Sequence, residues 1–124
     1  MMTPTILPKS RSLIWWFAPN YGTTIGSTIL MPDRWYTLAE PERQAWLEHE
    51  LCHVRNGVNW LRYLTSRQYR RECEMEAYRC QVQYLLAHGR APRVEEWARV
   101  MAGYGIWSWI TEQEARERLR EWIG

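Results

Sequence analysis

Residues 46–57 read Trp-Leu-Glu-His-Glu-Leu-Cys-His-Val-Arg-Asn-Gly, with His49 and His53 four apart and Glu50 directly after the first. In a strand that spacing separates two side chains by about 13 Å, at ~3.3 Å per residue. In a helix it stacks them one turn apart on one face. If the two imidazoles act together, the segment is helical. Its flanks agree. Pro41 suits a first helical turn because its missing N–H has no partner there. Glu40 and Glu42 favour the positive end of the dipole. Gly57 is a natural stop. The sequence predicts a helix over 41–55, with Ala45, Trp46, Leu47, Leu51 and Val54 supplying apolar faces.

Two imidazoles at that spacing can each offer a nitrogen to one tetrahedral zinc ion. Glu50 points about 100° around the helix from His49, so it can reach a water at the ion rather than the ion itself. It would take the proton of a zinc-activated water as that water attacks a carbonyl carbon. This is the logic of H-E-x-x-H on a helix. Cys52 sits between the histidines, but its side chain points elsewhere and reads as packing.

The remainder of the chain is organised as one domain over residues 1–124. Residues 1–11 carry Pro4 and Pro8 and read as an extended arm. Residues 12–18 read as a buried strand, and Thr23–Met31 as a second strand ended by Pro32 and Asp33. Residues 58–64 form a connector or short helix. Ser66 is an N-cap for a long helix running to about His88, with an apolar stripe of Tyr69, Cys73, Ala77, Cys80 and Tyr84. Pro92 opens a helix ending near Gly103, and Thr111-Glu-Gln-Glu114 is a capping box opening a last helix to Trp122. The expected fold is α+β: a small antiparallel N-terminal sheet followed by a predominantly helical core.

A catalytic zinc needs a third protein ligand and an open position. No further histidine follows at a ligand spacing, and His88 lies at a helix end. The long helix instead carries Glu72, Glu74 and Glu76. Relative to a stripe centred on Cys73, Glu74 and Glu72 lie ~100° to either side and Glu76 ~60° off, at 100° per residue. Periodicity leaves Glu74 and Glu76 both open. Arg70, Arg71 and Arg79 stand at helical spacings to pair with those acids on a solvated face.

H-E-L-C-H on one helix, with a glutamate about twenty residues on, resembles the gluzincin metallopeptidases over roughly residues 23–80. Their third ligand often stands in E-x-x-[AS]-D. Glu74-Met-Glu-Ala77-Tyr78 matches the glutamate and the alanine and departs at the aspartate. The resemblance implies a zincin-like core and a Zn2+ ion on His49, His53 and Glu74, with Glu50 as general base. It implies hydrolysis of peptide bonds in a peptide or protein substrate. It also implies an edge strand, Thr23–Met31, that pairs with extended substrate. The aspartate that Tyr78 replaces would orient a ligating histidine. Tyr21, Tyr78 and Tyr104 are candidates to stabilise an oxyanion.

Two other readings stand beside the zinc metallopeptidase. One is a zinc-binding interaction module without catalysis, favoured by nine tryptophans in a small chain. The other is a metal-free module in which Arg62, Arg67, Arg70 and Arg71 bind an acidic partner. Interleaved acids and a net charge of +2 argue against nucleic acid. Cys52, Cys73 and Cys80 read as reduced thiols. With no signal peptide and no apolar run long enough to span a bilayer, a cytoplasmic location is expected.

Overall fold

The computed structural model describes residues 3–12 and 21–124. The strand expected over 12–18 lies almost wholly outside them. The chain is α+β, with a small sheet first and helices after it. Among the described residues the sheet has three strands, β1 (Thr5–Pro8), β2 (Thr23–Ile25) and β3 (Thr28–Met31), in the order β1-β3-β2. The run expected as one strand is a hairpin, because Gly26 takes a positive φ of 61° that a two-residue turn requires. β2 and β3 pair antiparallel, whereas β1 pairs parallel to β3, so the sheet is mixed. The expected N-terminal arm is therefore part of the sheet, followed by a single 3-10 turn over Lys9–Arg11.

The helices are α1 (Glu42–Asn56), α2 (Trp60–Thr65), α3 (Arg67–Ala87), α4 (Val94–Ala102) and α5 (Glu112–Ile123). Their ends follow the local chemistry of the sequence. Gly57 closes α1 in the left-handed conformation, its N–H donating to the carbonyls of His53 and Val54. Asn59, Ser66 and Thr111 cap α2, α3 and α5, each accepting from the backbone N–H three residues on.

Two apolar clusters hold these elements. Ile29, Met31 and Trp35 pack with Trp46, Leu47, Leu51 and Val54, which seats one face of α1 on the sheet. Tyr78 and Val82 of α3 pack with Ala98, Met101, Trp109, Ile110, Ala115 and Leu119, which seats α3 on α4 and α5. Between the clusters runs the α1–α3 seam. It is lined by Ala45, His49, Cys52 and His53 from α1 and by Arg70, Glu74, Ala77 and Tyr78 from α3, all buried.

The buried stripe of α3 differs from the expected one. Arg70, Glu74, Ala77, Tyr78, Val82 and Leu85 are inside. Only Ala77 is shared with the Tyr69–Cys73–Ala77–Cys80–Tyr84 series. Hydropathy discounts Arg70 and Glu74, yet both are buried because both are partnered. Arg70 donates to the carbonyls of Tyr63, Leu64 and Ser108, and Arg71 is salt-bridged to Glu114. Arg62 lies over the Tyr69 ring, so three of the four arginines considered for an acidic partner are engaged within the fold.

Leu119 is fully buried where α5 meets α3 and α4. Leu119→Ala is expected to cost about 2–5 kcal/mol, the range for emptying such a site. Chemical denaturation checks it, and a loss under about 1 kcal/mol would mean that the second cluster collapses around the gap.

Candidate metal centre

His49 and His53 leave the buried face of α1 and meet Glu74 from the facing turn of α3. One ligand atom from each lies within 4.8 Å of the other two. His53 Nε2 is 2.7 Å from Glu74 Oε1, and His49 Nε2 is 3.5 Å from Glu74 Oε2. A tetrahedral zinc site with ~2.0–2.1 Å bonds places its donors ~3.3 Å apart, so the cluster has the span to close around one ion. Glu72 and Glu76, by contrast, are exposed. Of the two acids that periodicity left open, Glu74 is the one buried within reach of both imidazoles.

The tautomer of His49 is set from behind. Its Nδ1 lies 3.1 Å from Gln81 Oε1, an acceptor, so Nδ1 carries the proton and Nε2 keeps its lone pair toward Glu74. Tyr78, standing where the resemblance led to an aspartate, packs its ring edge on His49 at 4.4 Å and makes no bond to it. The orienting role falls to Gln81, two turns beyond Glu74 on the same face. Sequence reasoning missed Gln81. Its only signal was a polar residue in phase with Glu74 rather than with the apolar series.

Glu50 is buried beside the three ligand atoms. Its Oε1 accepts from Thr24 Oγ1 at 2.8 Å, and its Oε2 stands 3.7 Å from His49 Nε2. β2 thus holds the carboxylate through Thr24. The fit is close: a Cβ on Gly22 would come within 2.9 Å of Glu50 Oε2 and 3.0 Å of its Cδ. Lys9, the chain's one lysine, is buried nearby, its Nζ donating to Thr23 Oγ1 and the Tyr21 carbonyl. Burial lowers the Lys9 amine to about 8, against the opposing pull of Glu50.

Glu74 Oε2 also accepts from Tyr104 Oη at 2.7 Å, and Tyr104 Oη lies 2.9 Å from Tyr78 Oη. Tyr21 Oη donates to the carbonyls of Gly103 and Val100. All three tyrosines considered for an oxyanion therefore have hydroxyl partners within the fold. Tyr63, buried and facing the same cleft, makes no hydroxyl hydrogen bond among the described residues.

The cluster lies in a cleft of about 520 Å³. α1 and α3 form its floor. Thr24, Trp60, Trp97, Val100 and Trp107 also line it. The tryptophan excess thus serves both core (Trp35, Trp109) and cleft. The edge expected to pair with substrate is already in part engaged, because Trp60 Nε1 donates to the Thr24 carbonyl at 2.7 Å. Cys52 is buried packing, its thiol pushed up to about 12 by burial with Cys80 beside it. No described helix is long and apolar enough to cross a membrane.

No family model, curated protein or solved structure matches the chain.

Without an ion, His53 and Glu74 form a buried ion pair. Burial disfavours the His53 cation, but the adjacent Glu74 carboxylate outweighs it and raises the imidazole from 6.5 to about 9. Burial likewise opposes ionisation of Glu74, but the imidazoles hold its carboxyl well below its ordinary 4.5. The His53 contribution to stability is complete below pH 6.5 and is lost as pH rises through about 9. The Glu74 contribution is complete above pH 4.5 and is lost as pH falls through its depressed value. The pair is therefore at full strength between about pH 4.5 and 6.5. In chelator-treated protein, the unfolding free energy of wild type relative to His53→Gln is expected to decline between pH 6.5 and 9. Taking the difference removes the Lys9 contribution, which rises above pH 8. Parallel profiles across that range would contradict the pairing.

Proposed function

We propose that the protein is a zinc-dependent metallopeptidase of gluzincin type, in which His49, His53 and Glu74 hold the ion. The observation that carries the reading is the convergence of four buried groups from two helices, the two imidazoles and the Glu50 carboxylate from α1 and the Glu74 carboxylate from α3, with Glu50 fixed by Thr24 of β2. A structural ion pair needs one acid, and a plain zinc-binding module needs no base. Here a second carboxylate lies beside the ligand atoms, in a cleft large enough for a peptide segment.

A zinc ion bound there would supply Lewis acidity, lowering the pKa of a water and polarising a substrate carbonyl. The residues of the chain do the rest. Gln81 presents the His49 lone pair. Thr24 fixes one Glu50 oxygen and leaves the other, Oε2, turned toward the ligand atoms. Glu50 takes the proton from the attacking water and returns it to the departing amine. The tryptophans and Val100 give the cleft an apolar wall that limits competing water.

The test is hydrolysis of a mixed peptide library by zinc-loaded protein, beside Glu50→Gln. A general base is worth ~10²–10⁴ in rate, so Glu50→Gln is expected to lose at least about a hundredfold while keeping its zinc. Equal cleavage by both proteins would remove Glu50 from the mechanism. Cleavage by neither, with zinc bound, would leave the non-catalytic zinc module in its place.

Gly22→Ala supplies an independent check. The added methyl must displace the Glu50 carboxylate or β2, and a 1 Å misplacement can cost ~10²-fold. Turnover is expected to fall at least about tenfold with zinc content unchanged. Unaltered turnover would show that Glu50 needs no fixed position.

A further inference from the structure

Glu74 is held at both ends. Oε1 faces His53 Nε2 at 2.7 Å, and Oε2 receives the Tyr104 hydroxyl proton at 2.7 Å. A phenol has one proton to give. With that proton on Glu74, the 2.9 Å contact between Tyr104 and Tyr78 can only run from the Tyr78 hydroxyl to the Tyr104 oxygen. The direction of the chain is thereby fixed: Tyr78 to Tyr104 to Glu74. Donation from Tyr78 makes the Tyr104 hydroxyl a better donor in turn.

Tyr104 is itself held on the segment joining α4 to α5. Its ring lies 4.8 Å from that of Tyr21 and 5.9 Å from that of Trp109. Gly103, just before it, has its carbonyl tied by the Tyr21 hydroxyl at 3.2 Å. A Cβ on Gly103 would meet that hydroxyl at 3.2 Å and the Arg99 carbonyl at 3.0 Å, so a side chain there would push its neighbours back by a few tenths of an ångström. The α4–α5 half supplies none of the three clustered ligand atoms, yet through Tyr104 it reaches the carboxylate that α3 contributes.

We infer that Tyr104 is a positioning residue for the metal: by occupying Glu74 Oε2 it presents Oε1 as the single oxygen that ligates. This rests on the metallopeptidase reading only in that His49, His53 and Glu74 must bind an ion. A carboxylate free to swing can take an ion through both oxygens and use up a coordination position that the chemistry needs open. Tyr104, supported by Tyr78, prevents that swing.

The experiment is titration of chelator-treated protein with Co2+, followed by competition with Zn2+, for wild type, Tyr104→Phe and Tyr78→Phe. Each variant keeps its ring and loses one hydroxyl. Groups that orient metal ligands are worth ~10–100-fold in affinity, and Tyr104→Phe is expected to weaken zinc binding by that factor. Its Co2+ visible bands should also shift and weaken as the coordination number rises. Tyr78→Phe keeps the bond to Glu74 and loses only its support, so its loss should be smaller, under about tenfold. The melting temperature of each metal-free variant separates this role from a merely structural one. An affinity within twofold of wild type with unchanged Co2+ bands for Tyr104→Phe would overturn the inference and leave the metal site standing. Should Tyr104→Phe fail to fold, Tyr78→Phe decides by the same two readouts, and no change in either overturns it. Wild type that takes up no Co2+ or Zn2+ would overturn both this inference and the peptidase reading.

Discussion

The arrangement turns on one buried carboxylate. Glu74 is 3% exposed, at the contact between α1 and α3. An unpaired charge there would cost several kcal/mol, so the surroundings must supply partners. Three residues from two elements supply them: His53 and His49 on α1, and Tyr104 on the segment after α4. Two of these are in turn held by something else, His49 by Gln81 and Tyr104 by Tyr21 and Tyr78. A polar cluster tied together in this way fixes how two otherwise separate apolar clusters meet.

That placement explains why the chain carries its polar groups on the inside faces of its two central helices. α1 packs on the sheet through Leu47, Leu51 and Val54, and α3 packs on α4 and α5 through Tyr78 and Val82. Each helix has its apolar partner on one side and the polar seam on the other. The cleft opens over that seam, so the polar groups that the fold must satisfy are the same ones that face it. Thr24 of β2, Trp60, Trp97 and Trp107 line the cleft beside those polar groups.

Much of this was legible in the order of residues, and the exceptions have physical causes. Helix ends were readable because caps are local: Gly57, Ser66 and Thr111 act on neighbours three or four residues away. The histidine pair was readable because its spacing makes sense only on a helix. The buried face of α3 was not. Hydropathy treats Arg70 and Glu74 as surface residues, and their burial depends on partners that lie far along the chain. Gln81 escaped notice, and Tyr104 was considered for an oxyanion rather than for Glu74, for the same reason: they are 32 and 30 residues from the groups they bind. The resemblance to gluzincins pointed to Glu74 yet predicted an aspartate in support of a histidine. A glutamine one turn beyond the expected place, with a tyrosine ring packed between, fills that role. The hairpin at Gly26 was hidden by an unbroken run of β-formers on either side, and the parallel pairing of β1 is set by tertiary position rather than by any local signal.

The most direct measurement is X-ray absorption at the zinc edge on protein reconstituted with one equivalent of Zn2+. The account predicts two imidazole scattering patterns and two oxygen donors, one from Glu74 and one from water, all at ~2.0–2.1 Å, and no sulfur. A sulfur scatterer at ~2.3 Å, or a spectrum of fully hydrated zinc, would contradict it, because the ion would then not be held by His49, His53 and Glu74.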